Sequence, residues 1–95
     1  MPYKVTFKNT AEKQFAALPD EAKKQVGTAI DSLTKNALPP GSKPLRKATG
    51  FRRLDAGAYR IVYSRARQQQ IYIMRIQHRD TVYKNMRNLQ DPGRN

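Results

Sequence analysis

A chain of 95 residues, 38% of them apolar, makes one domain with one modest core, and no apolar run approaches the ~20 residues of a membrane-spanning helix. With no cysteine, one histidine and seven scattered acids, disulfides, thiolate or ordinary zinc sites and a clustered-carboxylate magnesium site are excluded. Nineteen Lys and Arg give a net charge of +12, which directs the chain toward polyanions: nucleic acid, an acidic protein or an anionic membrane surface, with nucleic-acid contact expected.

The opening MPYKVTF has no charged-then-apolar export signal, so a cytoplasmic location is expected. Tyr3, Val5 and Phe7 alternate with Lys4, Thr6 and Lys8, the pattern of a half-buried strand. Asn9 followed by Glu12 resembles a capping box, and Phe15 and Leu18 give the first helix a short apolar face. Pro19-Asp20 breaks that helix and starts another, in which Ala22, Val26, Ile30 and Leu33 recur at helical spacing. Asp20 and Glu21 suit its positive N-terminal end, and Asn36 with Pro39-Pro40-Gly41 ends it. The two helices are expected to form an antiparallel hairpin.

PPGSKPLRKATG, residues 39–50, reads as a basic loop with no core pattern. Three extended segments follow, 51–55, 59–64 and 71–77, joined around Ala56-Gly57 and around residues 66–70 as hairpins. YRIVY and IYIMRI carry branched or aromatic residues on both faces, which places these strands centrally in the sheet, and the opening strand is expected to pair with this meander. Asp80 then starts a closing helix with Val82, Met86 and Leu89 inward, and residues 91–95 are expected to fray. The expected fold is a single α+β domain over residues 1–95, ordered β-α-α-β-β-β-α, an antiparallel sheet with a helical hairpin on one face.

Charge concentrates between Lys43 and Arg79, where ten Lys and Arg stand against one acid, Asp55. No glycine-rich phosphate loop and no serine beside a histidine–acid pair occurs, so an enzyme of this sequence works without cofactor or metal on a substrate that the basic tract attracts. RNA suits these limits because it carries its own nucleophile, the 2′-hydroxyl. Its cleavage needs a proton removed, a proton supplied and charge on the phosphate stabilised. Arginine holds phosphate oxygens bidentately. Tyrosine, with a pKa of about 10, is about one part in a thousand ionised at neutral pH, a fraction that nearby cations raise. In a helix beginning near Arg79, Arg79 and Tyr83 are four apart on one face, with His78 beside them at the strand end. Arg53 and Arg60 lie on the neighbouring hairpin, within reach of the same groove.

GFRRLDAGAYRIVY (50–63) and MRIQHRDTVY (74–83) resemble the RelE/ParE superfamily, the toxic halves of type II toxin–antitoxin pairs. The resemblance extends over nearly the whole chain, including the basic PLRK segment, and implies the RelE-like microbial RNase fold. RelE-like members are ribosome-dependent mRNA endonucleases (mRNA interferases) that cut in the decoding site; ParE-like members poison DNA gyrase and generally lack the basic and tyrosine catalytic set. Arg53, Arg60, Arg79 and Tyr83 match RelE positions and favour the nuclease branch. By resemblance Arg60 clamps the scissile phosphate, Arg79 stabilises or protonates the leaving group, Tyr83 is the base, and Arg53 is the basic residue before the turn. His78 completes the catalytic set, and Lys43, Arg46, Lys47 and Arg52 are expected to contact RNA. The implied partners are the ribosome, mRNA and a cognate acidic antitoxin in a hetero-oligomer. Gyrase poisoning and a non-catalytic co-repressor role with the antitoxin are the alternatives. Single residues also have plainer readings: Arg60 as an ion-pair partner of Asp55 across the hairpin, Tyr83 as cover for the core edge, His78 as a strand-end hydrogen bonder, and Tyr59 with Tyr63 as core.

Overall fold

The computed structural model describes residues 3–45 and 50–82. Its elements are β1 (Lys4–Phe7), α1 (Asn9–Ala16), α2 (Asp20–Lys35), β2 (Ser42–Pro44), β3 (Phe51–Ala56), β4 (Tyr59–Ala66) and β5 (Gln70–His78), with the five strands in one sheet ordered β1-β5-β4-β3-β2. The two expected central strands, β4 and β5, are internal. Both helices cover one face of the sheet.

The pairing of β1 departs from a purely antiparallel sheet. β1 runs parallel to β5, Val5 opposite Ile71 and Phe7 opposite Ile73, while the other three pairings are antiparallel. A parallel pair needs a long crossover, and here the whole of α1 to β4 supplies it. β1 stops at Phe7, opposite Ile73, so the outer edge of β5 loses its strand partner beyond that point. α1 compensates: Gln14 Oε1 accepts the Ile76 N–H at 2.8 Å.

The expected core face of α2 is realised. Val26, Ile30 and Leu33 are buried with Ala11, Leu54, Ile61, Tyr63, Ile71, Ile73 and Ile76, and Phe15 and Leu18 pack against this cluster. The capping box is not formed: Lys8 holds the N-cap position of α1 without a side-chain cap, and Asn9 is already helical.

The basic loop holds more order than its composition suggests. Ser42–Pro44 is an edge strand on β3, and Leu45 is buried, its N–H bonded to Phe51 O at 3.0 Å. A three-residue strand beside two prolines has too few alternating positions to register as a period, and pairing with β3 rather than propensity creates it. Leu45, Phe51, Val62, Met74 and Val82 form a second apolar cluster on the sheet face away from the helices, with Tyr72 packed against it. One extra residue in β5 shifts the alternation: Val62 pairs with Arg75 and Tyr63 with Ile73, leaving Met74 as a bulge and keeping Ile73 and Ile76 both on the helix side.

After β5 the chain turns back. Thr81 and Val82 both donate to His78 O, at 2.9 and 3.0 Å, the second being the i to i−4 spacing of one helical turn. The expected closing helix beyond this turn, with Met86 and Leu89, and the tail lie outside the described residues.

Candidate nucleic-acid interface and active site

Two faces of one sheet divide the candidate residues. Leu54 and Ala56 of β3 belong to the helix-side core, and Phe51 to the opposite cluster. Strand alternation therefore puts Arg53 and Asp55 on the face away from the helices and Arg52 on the helix side. Cross-strand partners share a face, so Lys43, paired with Arg53, and Arg60, paired with Asp55, are also on the face away from the helices.

The β3–β4 hairpin closes with two residues, Ala56 pairing with Tyr59. Gly57 has φ +59°, the left-handed region in which a side chain is strained, and a Cβ there would meet Gln25 Oε1 at 2.5 Å. This tight turn sets Asp55 directly opposite Arg60. Asp55 Oδ1 lies 3.0 Å from Arg53 Nε and 3.1 Å from Arg60 Nε, so one carboxylate oxygen draws two guanidiniums together. Arg60 Nη1 also donates to Gly57 O at 2.9 Å and to Tyr59 O at 3.0 Å. Arg79 reaches the same turn through its backbone, its N–H bonded to Ala58 O at 2.8 Å, with its side chain exposed.

The other expected residues are placed differently. His78 pairs with Tyr59, and the two rings meet edge to face with centroids 5.7 Å apart. Its Nδ1 lies 3.1 Å from the Asp80 backbone nitrogen, whose N–H points at it. Asp80 Oδ2 lies 3.3 Å from the same ring nitrogen. His78 is thus fixed at the strand end, one residue past Gln77, which is the partner of Arg60. Arg52 Nη2 donates to Ser42 Oγ at 3.1 Å and to Ser42 O at 3.3 Å, tying β2 to β3 on the helix side. Tyr63 is core, as its alternative reading has it: fully buried, its hydroxyl donating to Ala37 O at 2.7 Å. Tyr83, Arg46 and Lys47 lie outside the described residues.

A family model for the ParE toxin of type II toxin–antitoxin systems (parDE) matches residues 5–83. The chain belongs to this family. It is a type II toxin of the RelE/ParE superfamily. Among solved structures, the toxin–antitoxin complex RelBE2 of Mycobacterium tuberculosis is 30% identical, with a TM-score of 0.70 over 82% of this chain and 99% of that one. The archaeal RelE–RelB complex of Pyrococcus horikoshii is 22% identical, with a TM-score of 0.71 over 83% of this chain and 97% of that one. The isolated RelE toxin of E. coli, 16% identical, gives 0.69 over 80% of this chain and 83% of that one, a likeness of fold. No curated protein matches the sequence.

The toxin's sheet face away from the helices carries cations beyond those picked out from sequence. Lys4 and Lys8 alternate onto it with Thr6, whose partner Tyr72 packs against the second apolar cluster, and Lys8 Nζ lies 5.5 Å from the centre of the Tyr72 ring. Arg75, opposite Val62, joins them. The alternation of Lys4, Thr6 and Lys8 is visible in the sequence, but which side of β1 faces the basic hairpin depends on its parallel register with β5. Among the described residues no three His, Cys, Asp or Glu side chains gather as they would to hold a metal ion.

Proposed function

We propose that this toxin is a ribosome-dependent mRNA endonuclease that cleaves by attack of the 2′-hydroxyl on the adjacent phosphate. One observation carries the reading: Arg53 and Arg60 converge on a single carboxylate oxygen on a sheet face that also holds Lys4, Lys8, Lys43 and Arg75. Two guanidiniums that share one anionic oxygen are arranged to share a phosphate oxygen as well.

In this reading the O2′–P bond forms as the P–O5′ bond breaks, and the product ends in a 2′,3′-cyclic phosphate. Arg60 and Arg53 bear on the phosphate oxygens as negative charge grows there. Tyr83, as phenolate, takes the 2′-hydroxyl proton. Arg79 acts by its charge at the departing O5′, which takes its proton from water, because a guanidinium gives up its own proton reluctantly. His78 lines the strand end beside them. Lys43, Arg46 and Lys47 hold the RNA backbone, and Arg52 supports the strand that presents Lys43. The ribosome enters through the likeness of residues 50–63 and 74–83 to the RelE-like branch. An acidic antitoxin in a hetero-oligomer is the partner this charge and the RelB-bound relatives suggest. The cytoplasm, where ribosomes are, is the corresponding location.

The second reading, gyrase poisoning, is favoured by the description of the matching family model as a ParE toxin. Purified protein added to ribosomes programmed with end-labelled mRNA tests both. Cleavage in the decoding site, leaving a cyclic phosphate end, is the expected result. Intact mRNA together with inhibition of gyrase supercoiling overturns the nuclease reading.

A further inference from the structure

We propose that Asp55 is a positioning residue, holding Arg53 and Arg60 in convergence and aiming Arg60 Nη2 at the scissile phosphate; this rests on the nuclease reading of the site. Asp55 is the single acid in the basic tract from Lys43 to Arg79. It occupies the position that reaches both arginines, two residues after Arg53 on one strand and directly opposite Arg60 on the next.

Two guanidiniums brought to one point repel each other, and each long side chain gains rotamer freedom by turning outward to solvent. The shared Oδ1, 3.0 and 3.1 Å from the two Nε atoms, opposes both tendencies. For Arg60 the constraint is more complete. Nε is held by Asp55 and Nη1 by the Gly57 and Tyr59 carbonyls, which leaves Nη2 as the donor without an acceptor among the described residues. Of these partners Asp55 is the charged one, and its hold on Arg60 is that of an ion pair.

The same carboxylate opposes an incoming phosphate. Its side chain is 39% exposed, against 22% for Arg53 and 17% for Arg60, so the anion stands nearer the solvent from which RNA approaches. Asp55 therefore lowers affinity while fixing geometry, and its removal should separate binding from rate. A residue that merely stabilised the hairpin would not produce that split.

Asp55→Ala and Asp55→Asn test this, the asparagine keeping an acceptor oxygen at the same place. In single-turnover cleavage on programmed ribosomes, Asp55→Ala is expected to lose at least tenfold in rate while binding RNA as tightly as the parent or more tightly. Asp55→Asn should recover part of the lost rate. Independently of activity, 15N relaxation should show ordered Arg53 and Arg60 Nε–H groups in the parent, mobile in Asp55→Ala and ordered in Asp55→Asn. A parent that binds ribosomes without cutting mRNA overturns the nuclease reading alone, and the Nε–H signals still report on the positioning. Parental cleavage by Asp55→Ala, or unchanged order of the Nε–H groups in it, overturns the role of Asp55.

Discussion

The Tyr63 hydroxyl donates to the Ala37 carbonyl across 26 residues of sequence, at 2.7 Å and wholly inside the core. It anchors the segment leaving α2 to the middle of β4, and with it the start of the path to edge strand β2. Tyr63→Phe keeps the ring but strands a buried carbonyl, a loss of about 1–3 kcal/mol. Thermal unfolding should fall by about 4–8 °C for each kcal/mol lost in a domain of this size. A variant that melts with the parent would mean that this bond contributes nothing net.

Ile30→Asp tests the core face of α2. Ile30 is 7% exposed between helix and sheet, so a carboxylate there is desolvated with no partner. The expected loss of several kcal/mol is a large share of the ~5–15 kcal/mol that holds a small domain together. Loss of the cooperative transition in circular dichroism is the expected result, and a parental melt contradicts this packing.

The β4–β5 turn stores strain that substitution can release. Gln68 and Gln69 both have positive φ, 61° and 60°. The left-handed region costs a non-glycine residue about 1–2 kcal/mol, partly offset for glycine by its greater freedom when unfolded. Gln69→Gly should raise stability by about 0.5–1 kcal/mol in urea denaturation with an unchanged m value. A drop in midpoint would show that the glutamine makes up the difference elsewhere.

Arg60→Ala, Arg79→Ala and Tyr83→Phe probe the chemistry. Each should lower single-turnover cleavage by about a hundredfold or more while ribosome binding changes little, because the lost interaction belongs to the transition state. Tyr83→Phe separates the hydroxyl from the packing of the ring. Parental rates in all three would remove these residues from the mechanism.

Charge should govern the partner. A +12 toxin meeting an acidic antitoxin associates under electrostatic steering, so the on-rate should fall steeply as salt rises while the off-rate moves less. Stopped-flow association across a salt series checks this, and a flat on-rate would exclude steering.

Much of the fold is legible in the residues because each strongly patterned segment answers to local chemistry. The 3.6-residue spacing of Val26, Ile30 and Leu33 reports the buried face of α2, and the two-sided apolar strands around Ile61 and Ile73 report their central place. The two-residue turn at Gly57 fixes Asp55 opposite Arg60, so their pairing follows from the sequence register. The motifs at 50–63 and 74–83 identify the superfamily for the same reason, since each is a continuous local stretch.

The tertiary structure decides what depends on residues far apart in the chain. The parallel register of β1 on β5 brings Lys4 and Lys8 to the basic face, and no local period encodes a partner 66 residues away, as Gln70 is from Lys4. β2 exists because β3 offers its edge, and Leu45 is buried because Phe51 and Val62 leave room for it. Likewise Arg52 and Arg53 are neighbours in sequence with the same charge, and only the side of the sheet that the helices cover separates them. One braces an edge strand through Ser42, and the other meets Arg60 at a shared carboxylate, because successive residues of a strand point to opposite faces.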